Sequence, residues 1–421
     1  MKAILEKSHL LCFFMVFWVL LVSSGCSDKS AGPEEPVVYE RGDVISSKNL
    51  GSFNKETIQQ LMTSSNVTLP FSLQYAVDYK SITYSTIDGK GSQVVASGAL
   101  IIPTGTQNLP LLSMQHGTET KRNRVASESA ISSVEGTGGL ITGSLGYVTA
   151  VPDYLGFGIS EQTHPYLHAK SLVPSVVDFM RAARTFCSAN GITLNGQVFL
   201  AGYSEGGYVT LVTQRVIELE HPQEFTLTAV APMAGPYDLY GTMQTVFQSA
   251  QYNHTAYMAY IATAYNSIYG WNRLDDFFNP PYSSMMRSLF DGSKTYGEIV
   301  NQLPSTFSVL VKSTFITGVR NGSEQAFLAA MQENTLLDWR PRAPIHFFHG
   351  DADDVSPYQN SLTAYNRLKA NGGTNIQLTT IPGGDHATSS MPAILGMIGW
   401  FGQMRKSSQS LADKAPLVLV D

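Results

Sequence analysis

The most informative segment of the chain is VFLAGYSEGG, residues 198–207. Its first four residues are apolar, as in a buried strand, and the next five match the pattern G-x-S-x-G. A helical pattern follows from Tyr208 to Leu219. A strand, a sharp turn and a helix in this order would hold the Ser204 hydroxyl exposed in a strained turn. The segment predicts that Ser204 is a nucleophile, the alternative being a serine with a surface or packing role.

A serine hydroxyl reacts only when an imidazole takes its proton and a carboxylate orients that imidazole. On a strand–turn–helix scaffold of this kind the partners follow in the order Ser, Asp, His. The strand predicted to end at Ile381 runs into Gly-Gly-Asp-His, so His386 lies on the loop after a strand. His386 is therefore the predicted base. His349 precedes the acidic loop and is expected to be structural.

The acid is expected on the loop that follows the strand predicted at 345–348. Three aspartates share this loop, namely Asp351, Asp353 and Asp354. Position relative to the strand end favours Asp353, with Asp354 as the second candidate. The remaining carboxylates are expected to be solvated or to cap the helix that follows.

Acyl transfer also requires two donors that hold the oxyanion. One is expected to be the backbone N–H of Glu205, directly after the nucleophile. The other is expected on the loop after strand 111–115, at His116, Gly117 or Thr118, and the sequence leaves open which of the three donates. The alternative for this loop is a simple tight turn.

The rest of the chain alternates between strand and helix patterns, which predicts an α/β fold with a mostly parallel central sheet. Strands are predicted at 74–86, 93–102, 111–115, 147–151, 198–201, 229–233, 345–348 and 378–381, and helices at 172–186, 208–219, 362–369 and 394–404. One region, 236–341, is mainly helical and rich in aromatic residues. It predicts a cap (lid) domain inserted into a core formed by 46–235 and 342–405.

Several segments together resemble the α/β-hydrolase superfamily. They are the G-x-S-x-G motif, the Asp353 loop, Gly-Asp-His at 384–386 and the His116-Gly117 pair. The run VPDYLGFG at 151–158, followed by His-Pro-Tyr at 164–166, is similar more specifically to the secretory lipase family.

This resemblance covers about residues 70–405. It implies a helical cap between strands 6 and 7, and hydrolysis of carboxylic esters, acylglycerols included, without a cofactor. Ser204 would be the nucleophile, Asp353 the acid and His386 the base. Some members of the family carry an acidic residue near the position of His116.

The sequence alone leaves two other functions open. A polysaccharide deacylase, such as an acetyl or feruloyl esterase, would use the same residues. A catalytically silent lipoprotein could keep the fold and hold a ligand in an aromatic cleft. All three triad motifs are intact, which favours an enzyme, here a serine carboxylic-ester hydrolase.

Composition excludes some partners. The 421 residues include 27 Lys and Arg against 33 Asp and Glu, a net charge of -6, and no basic run occurs, so no nucleic-acid partner is expected. His164 and His168 have the spacing of a helical metal site, but Pro165 favours a loop, and no metal or cofactor is expected. The protein is expected to be a monomer that binds a small-molecule or lipid ester.

The N-terminus has the features of an export signal. Lys2 and Lys7 precede an apolar run from Leu10 to Val22 that is too short to span a bilayer as a helix. The tetrad at 23–26, Ser-Ser-Gly-Cys, resembles a bacterial lipobox, which would make 1–25 a lipoprotein signal peptide and Cys26 the lipidated residue. A plain signal peptide is the alternative.

After this signal, residues 26–45 read as a flexible tether and 406–421 as a C-terminal tail. We therefore expect an exported lipoprotein anchored to the cell membrane or outer membrane. Of the three cysteines, only Cys187 and the lipidated Cys26 would remain after cleavage, so no disulfide is expected.

Overall fold

The computed structural model describes residues 38–412, except Asn66 and Ser132, and for 406–412 it describes the backbone alone. The predicted signal peptide, Cys26, most of the predicted tether and residues 413–421 lie outside the described residues. The chain divides into two units, Met1–Val38 and Tyr39–Asp421, and every element below belongs to the second.

The centre of this unit is one nine-stranded sheet with the order β1-β2-β3-β5-β4-β6-β7-β8-β9. The pairings β1–β2, β2–β3 and β3–β5 are antiparallel, and the other five are parallel. The predicted α/β fold with a mostly parallel sheet is thereby confirmed. The strands are β1 Val44–Phe53, β2 Val77–Ile87, β3 Gln93–Pro103, β4 Leu109–Gln115, β5 Val148–Pro152, β6 Leu194–Tyr203, β7 Leu227–Met233, β8 Ile345–Gly350 and β9 Ile376–Ile381.

Helices cover both faces of the sheet because the central strands are apolar on both sides. In β6, Val198 and Leu200 belong to one buried cluster, whereas Phe199 and Ala201 belong to another that includes Phe401 of the last helix. The helices of the core are α1 Lys55–Ser64, α2 Val134–Ser144, α3 Ala169–Ala189, α4 Glu205–Glu220, α13 Gln359–Ala370 and α14 Ser390–Ala412.

Between β7 and β8 the chain leaves the sheet and forms eight helices, inside the range 236–341 predicted for the cap. They are α5 Leu239–Ser249, α6 Thr255–Ile268, α7 Leu274–Phe277, α8 Tyr282–Leu289, α9 Tyr296–Val300, α10 Phe307–Leu310, α11 Ser313–Asn321 and α12 Gln325–Glu333. Counted along this chain the insertion follows the seventh strand. If the additional edge strand β1 is left out of the count, the insertion lies between strands 6 and 7, as expected.

Aromatic side chains form the interior of the cap. The Phe315 ring lies 5.4 Å from that of Phe247, 4.4 Å from Phe277 and 5.2 Å from Phe327, measured between ring centroids. All four side chains are buried. These phenylalanines therefore serve the packing of the cap itself, whereas Tyr260 and Tyr265 of the cap hydrogen-bond to backbone carbonyls of the core.

Two stretches differ from the sequence-based elements. Strand β1 and helix α1 were not predicted, and β1 begins inside the predicted tether, because an exposed edge strand with the sequence VISSKNLGSF has no apolar alternation to reveal it. Helix α14 continues to Ala412 and so includes the first residues of the predicted tail. None of the helices in the described part of the chain is long and apolar enough to cross a bilayer.

Candidate active site

Ser204 occupies the sharp turn between β6 and α4. Its backbone has φ 60° and ψ −122°, a conformation that a residue with a side chain adopts only under strain. The turn is possible because its neighbours lack side chains: a Cβ atom at Gly202 would collide with the carbonyl of Gly206, and one at Gly206 with that of Gln115. The motif thus places Ser204 at the carboxyl end of the sheet, one residue before a helix.

His386 and Asp353 continue from this serine in one line of hydrogen bonds. His386 Nε2 lies 2.9 Å from Ser204 Oγ, and His386 Nδ1 lies 2.6 Å from Asp353 Oδ2. The three side chains come from the loops after β6, β8 and β9. Parallel strands bring their carboxyl ends to one edge of the sheet, which is why residues up to 182 positions apart meet there.

The Asp353 carboxylate is held from several sides. Oδ1 accepts the N–H groups of Val355 and Ser356, at 3.0 and 2.9 Å. His349 Nε2 lies 2.7 Å from the Ser356 carbonyl, so it carries a proton, and this N–H also reaches Asp353 Oδ2 at 3.2 Å. Burial by itself would raise the pKa of Asp353, but the hydrogen bonds from His349 and His386 lower it to about 2.

The other two aspartates of this loop point elsewhere. Asp354 Oδ2 lies 3.0 Å from His254 Nε2 on the cap, and its side chain is largely exposed. Asp351 Oδ1 accepts the Gly383 N–H at 2.6 Å, and so joins the loops after β8 and β9. Asp353 is the aspartate that contacts His386.

The loop after β4 approaches the serine from the opposite side. A Cβ atom built on Gly117 would lie 3.9 Å from the Ser204 Cβ. The Gly117 N–H already donates to Glu135 Oε1 at 2.8 Å. Among the described residues, the N–H groups of His116, Thr118 and Glu205 donate no hydrogen bond, so all three remain available to a ligand.

A cavity of about 400 Å³ opens at Ser204. Its inner wall consists of apolar side chains from the sheet and from α14, and the cap contributes two tyrosines whose rings stack at 4.7 Å, Tyr257 and Tyr296. This apolar wall suits an acyl chain, whereas the rest of the lining is polar and includes Glu119, Arg124 and Glu135. The inner apolar side chains are Met114, Ala201, Met233, Ile394 and Met397.

The sequence assigned no chemical role to the side chains of two histidines near the site. His164 Nε2 lies 2.8 Å from Glu205 Oε1, and this pair is buried directly behind the nucleophile turn. The His116 ring is also buried and lies over Tyr154. An H-P-Y or H-G motif gives no sign of such contacts, because the partners come from distant segments.

The two histidines that have metal-site spacing do not face each other. His168 Nδ1 lies 2.8 Å from Ser171 Oγ, whereas His164 contacts Glu205. Within the described residues no group of three or more His, Cys, Asp or Glu side chains is arranged to hold a metal ion. Asp153 is buried and accepts hydrogen bonds from Ser97 Oγ and the Ser127 N–H.

The sequence profile of the secretory lipase family matches residues 139–409 of this chain. This range contains Ser204, Asp353 and His386 and covers more than half of the protein. Among proteins with curated functions, none matches the sequence.

Solved structures give a consistent comparison. The rice cell wall degrading esterase LipA from Xanthomonas oryzae is 29% identical, with a TM-score of 0.77 over 85% of this chain and 95% of its own. A hydrolase from Legionella pneumophila is 26% identical, with a TM-score of 0.79 over 86% and 98%. Candida antarctica lipase A in its closed state is 14% identical, with a TM-score of 0.67 over 88% and 83%, and shares the fold.

Proposed function

The chain belongs to the secretory lipase family of esterases and lipases, and on that premise we propose that it hydrolyses carboxylic esters through Ser204, His386 and Asp353. The observation that carries the proposal is the line of hydrogen bonds from Ser204 Oγ to His386 and on to Asp353, at 2.9 and 2.6 Å. This spacing lets the imidazole take the hydroxyl proton without any movement of the backbone.

In the first half of the reaction, Ser204 Oγ attacks the ester carbonyl while its proton passes to His386 Nε2. Asp353 stays ionised and stabilises the imidazolium that forms. His386 then gives the proton to the leaving alcohol, and an acyl-enzyme on Ser204 remains. Water, deprotonated by the same imidazole, attacks the acyl-enzyme and releases the acid.

The oxyanion of each tetrahedral intermediate is held by backbone donors. We assign one to the Glu205 N–H. In the 116–118 loop the Gly117 N–H already binds Glu135, which leaves the N–H groups of His116 and Thr118, and of these two we propose Thr118. Both assigned groups border the cavity or the nucleophile turn, and neither has a partner among the described residues. Donors that are fixed before the reaction need no reorganisation when charge develops.

For the substrate we infer an ester with an apolar acyl group, as in lipid catabolism. The support is the wall of methionine and isoleucine side chains that lies below Ser204, since methionine adapts to chains of different shape. A second candidate is an ester of a cell-wall polysaccharide. It is favoured by the similarity to the cell wall degrading esterase LipA and by the charged side chains Glu119 and Arg124 that line the same cavity.

Hydrolysis of p-nitrophenyl esters from acetate to palmitate tests the proposal, with Ser204→Ala as the inactive control. We expect turnover that the substitution abolishes, with a preference for acyl chains longer than acetate. Turnover of acetate alone, together with release of acetate or ferulate from polysaccharide, would favour the second candidate. A folded protein that cleaves no ester would overturn both.

We further propose that the protein is exported and anchored through lipid on Cys26, on the support of the Ser-Ser-Gly-Cys tetrad after an apolar run. Metabolic labelling with a fatty-acid alkyne in a bacterial host tests this. Label should be lost in Cys26→Ala and kept in Cys187→Ala. Equal labelling of both variants, or none in the unmodified protein, would contradict the anchor.

A further inference from the structure

The His116 ring makes a pair of contacts that restricts its protonation state. Its Nδ1 lies 2.7 Å from the Gly117 carbonyl oxygen, and its Nε2 lies 2.8 Å from the Asp153 carbonyl oxygen. A carbonyl oxygen only accepts hydrogen bonds, so each ring nitrogen must donate. An imidazole donates from both nitrogens only when it carries a second proton and a positive charge.

We propose that His116 is a buried imidazolium cation that fixes the 116–118 loop and so positions the Thr118 N–H at the oxyanion. This inference deepens the proposed ester hydrolysis and rests on it for its catalytic consequence. The charge itself can be tested in the protein without substrate.

Aromatic rings and carboxyl groups that stabilise a buried cation surround the His116 ring. His116 is 4% exposed, and its ring stacks on Tyr154 at 4.0 Å and meets the edge of Phe157 at 5.5 Å. An isolated charge here would be strongly disfavoured, but carboxyl groups face it from two helices, Glu135 of α2 and Glu205 of α4. The remaining titratable neighbours are Asp153, which belongs to the loop after β5, and His164, whose ring contacts Tyr154 and Phe157.

Burial lowers the pKa of His116, but Glu135, Glu205 and the two backbone carbonyls raise it, and the net shift is upward. A histidine with a raised pKa contributes stability that is complete below its usual value near 6.5 and is lost as the pH rises through the raised value. The two carbonyl acceptors and the upward pKa shift both favour the cation, and its loss is expected at a pH above the ordinary value for histidine.

The His116 ring acts on the oxyanion site through the peptide group between Gly117 and Thr118. A trans peptide holds its C=O and N–H on opposite sides, and the 117–118 peptide is trans. Because the Gly117 carbonyl is bound by His116 Nδ1, the Thr118 N–H points away from that ring. Loss of the proton on Nδ1 would leave two hydrogen-bond acceptors, His116 Nδ1 and the Gly117 carbonyl oxygen, in contact with each other. Their repulsion would allow this peptide to rotate. His116 is thus a positioning residue, which acts through Thr118.

The charge is measured by NMR of the protein labelled with ¹⁵N-histidine, at pH values from 5 to 10. We expect two protonated nitrogens for His116 at pH 7, in a signal that is absent from His116→Gln. His346 serves as the internal control, because burial lowers its pKa to about 4 and its ring should be neutral. A His116 ring with one unprotonated nitrogen at pH 7 would overturn the inference, even if the protein is an active esterase.

The consequence is measured in ester hydrolysis by His116→Gln, with His346→Gln as the matched variant. In the unsubstituted protein we expect kcat to decline in alkaline solution as His116 loses its charge. In His116→Gln we expect kcat to be about 10- to 100-fold lower, with little change in KM and without this alkaline decline. His346→Gln should keep both. A folded His116→Gln that retains kcat and the alkaline decline would overturn the inference, and if this variant does not fold, the NMR signal of the unsubstituted protein decides.

Discussion

The α/β core and the helical cap of this chain contribute to the site in different ways. The core supplies Ser204, Asp353 and His386 from the loops that follow β6, β8 and β9, and hydrogen bonds fix each of them. The cap supplies none of these side chains and contributes Tyr257 and Tyr296 to the cavity wall. Chemistry should therefore depend on the core, whereas the choice of substrate should depend on side chains of both the core and the cap.

The cap is attached to the core by packing and by hydrogen bonds. Apolar side chains of both belong to one buried cluster, and Tyr260 of the cap stacks on Tyr166 at 4.4 Å. Tyrosine hydroxyls of the cap donate to backbone carbonyls of the core, as Tyr265 does to Leu167 at 2.8 Å and Tyr252 to Val355 at 3.1 Å. His254 of the cap reaches Asp354, next to the Asp353 carboxylate. Contacts of this kind hold a surface in place without fixing the triad.

The largest expected effect is that of Ser204→Ala. The substitution removes the nucleophile, so kcat should fall by about 10⁴- to 10⁶-fold for every ester, while the melting temperature stays the same or rises slightly. Kinetics on a short and a long ester, with thermal unfolding alongside, measure both. A folded variant that keeps more than about a hundredth of the activity on either ester would contradict Ser204 as the nucleophile.

Asp353→Asn and Asp354→Asn separate the two neighbouring acids. The first should lower kcat by about 10⁴-fold, because the amide no longer holds the imidazole in the required tautomer. The second breaks only a contact with His254 of the cap and should change kcat by a few-fold at most. Equal losses in both variants would contradict the assignment of Asp353.

Phe327→Ala tests whether the cap has its own stability. Phe327 is fully buried among the rings of Phe315 and Phe277, so its truncation should cost about 3–5 kcal/mol. Hydrogen exchange by mass spectrometry should locate the loss in helices α5 to α12. Destabilisation spread equally over the sheet would show that core and cap unfold as one unit.

Acid should act on the core through Asp353. The pKa of this carboxyl lies at about 2 against an ordinary 3.8, so its ionised form adds stability above pH 4 that is lost as the pH falls toward 2. The contribution is on the order of 2 kcal/mol. Urea unfolding at pH 4 and pH 2 should show a smaller difference in Asp353→Asn than in the unsubstituted protein, and equal differences would contradict the prediction.

Tyr296→Ala is expected to have the smallest effect, and this effect should be on substrate selectivity. Removing this cap ring widens the cavity on the side opposite the inner apolar wall, so the ratio of kcat/KM between long and short esters should shift by about 3- to 10-fold, the equivalent of roughly 1 kcal/mol. The short-ester kcat should stay unchanged. A large fall in that kcat would show that the cap also orients the reacting groups.

The central sheet was predictable because its signals are local. The apolar run before Gly202 and the helical spacing in 172–186 each reflect a short-range preference. The Asp-Gly-Lys-Gly run at 88–91, which separates two predicted strands, is likewise a local turn signal. The observed register confirms the turn, since Ile87 pairs with Gln93 across it. Strand β1 gave no such signal, because an exposed edge strand is formed by pairing with β2 rather than by its own sequence.

The order of motifs along the chain predicted that Ser204, the acidic loop and His386 lie in one site, because a parallel sheet has the carboxyl ends of its strands at one edge. Which aspartate faces His386 depends on the path of one loop, and that path is set by the N–H groups of Val355 and Ser356. The sequence favoured Asp353 by its position, but three aspartates in four residues have nearly the same local surroundings.

The sequence by itself thus determined the fold class, the family and the three motifs, since each follows from residues close together in the chain. Only the tertiary structure decided the state of the donors around Ser204. Glu135 reaches the Gly117 N–H, and the Asp153 carbonyl meets His116, from positions 18 and 37 residues away along the chain. A hydrogen bond depends on distance in space, and the charge of a buried histidine depends on every group that surrounds it.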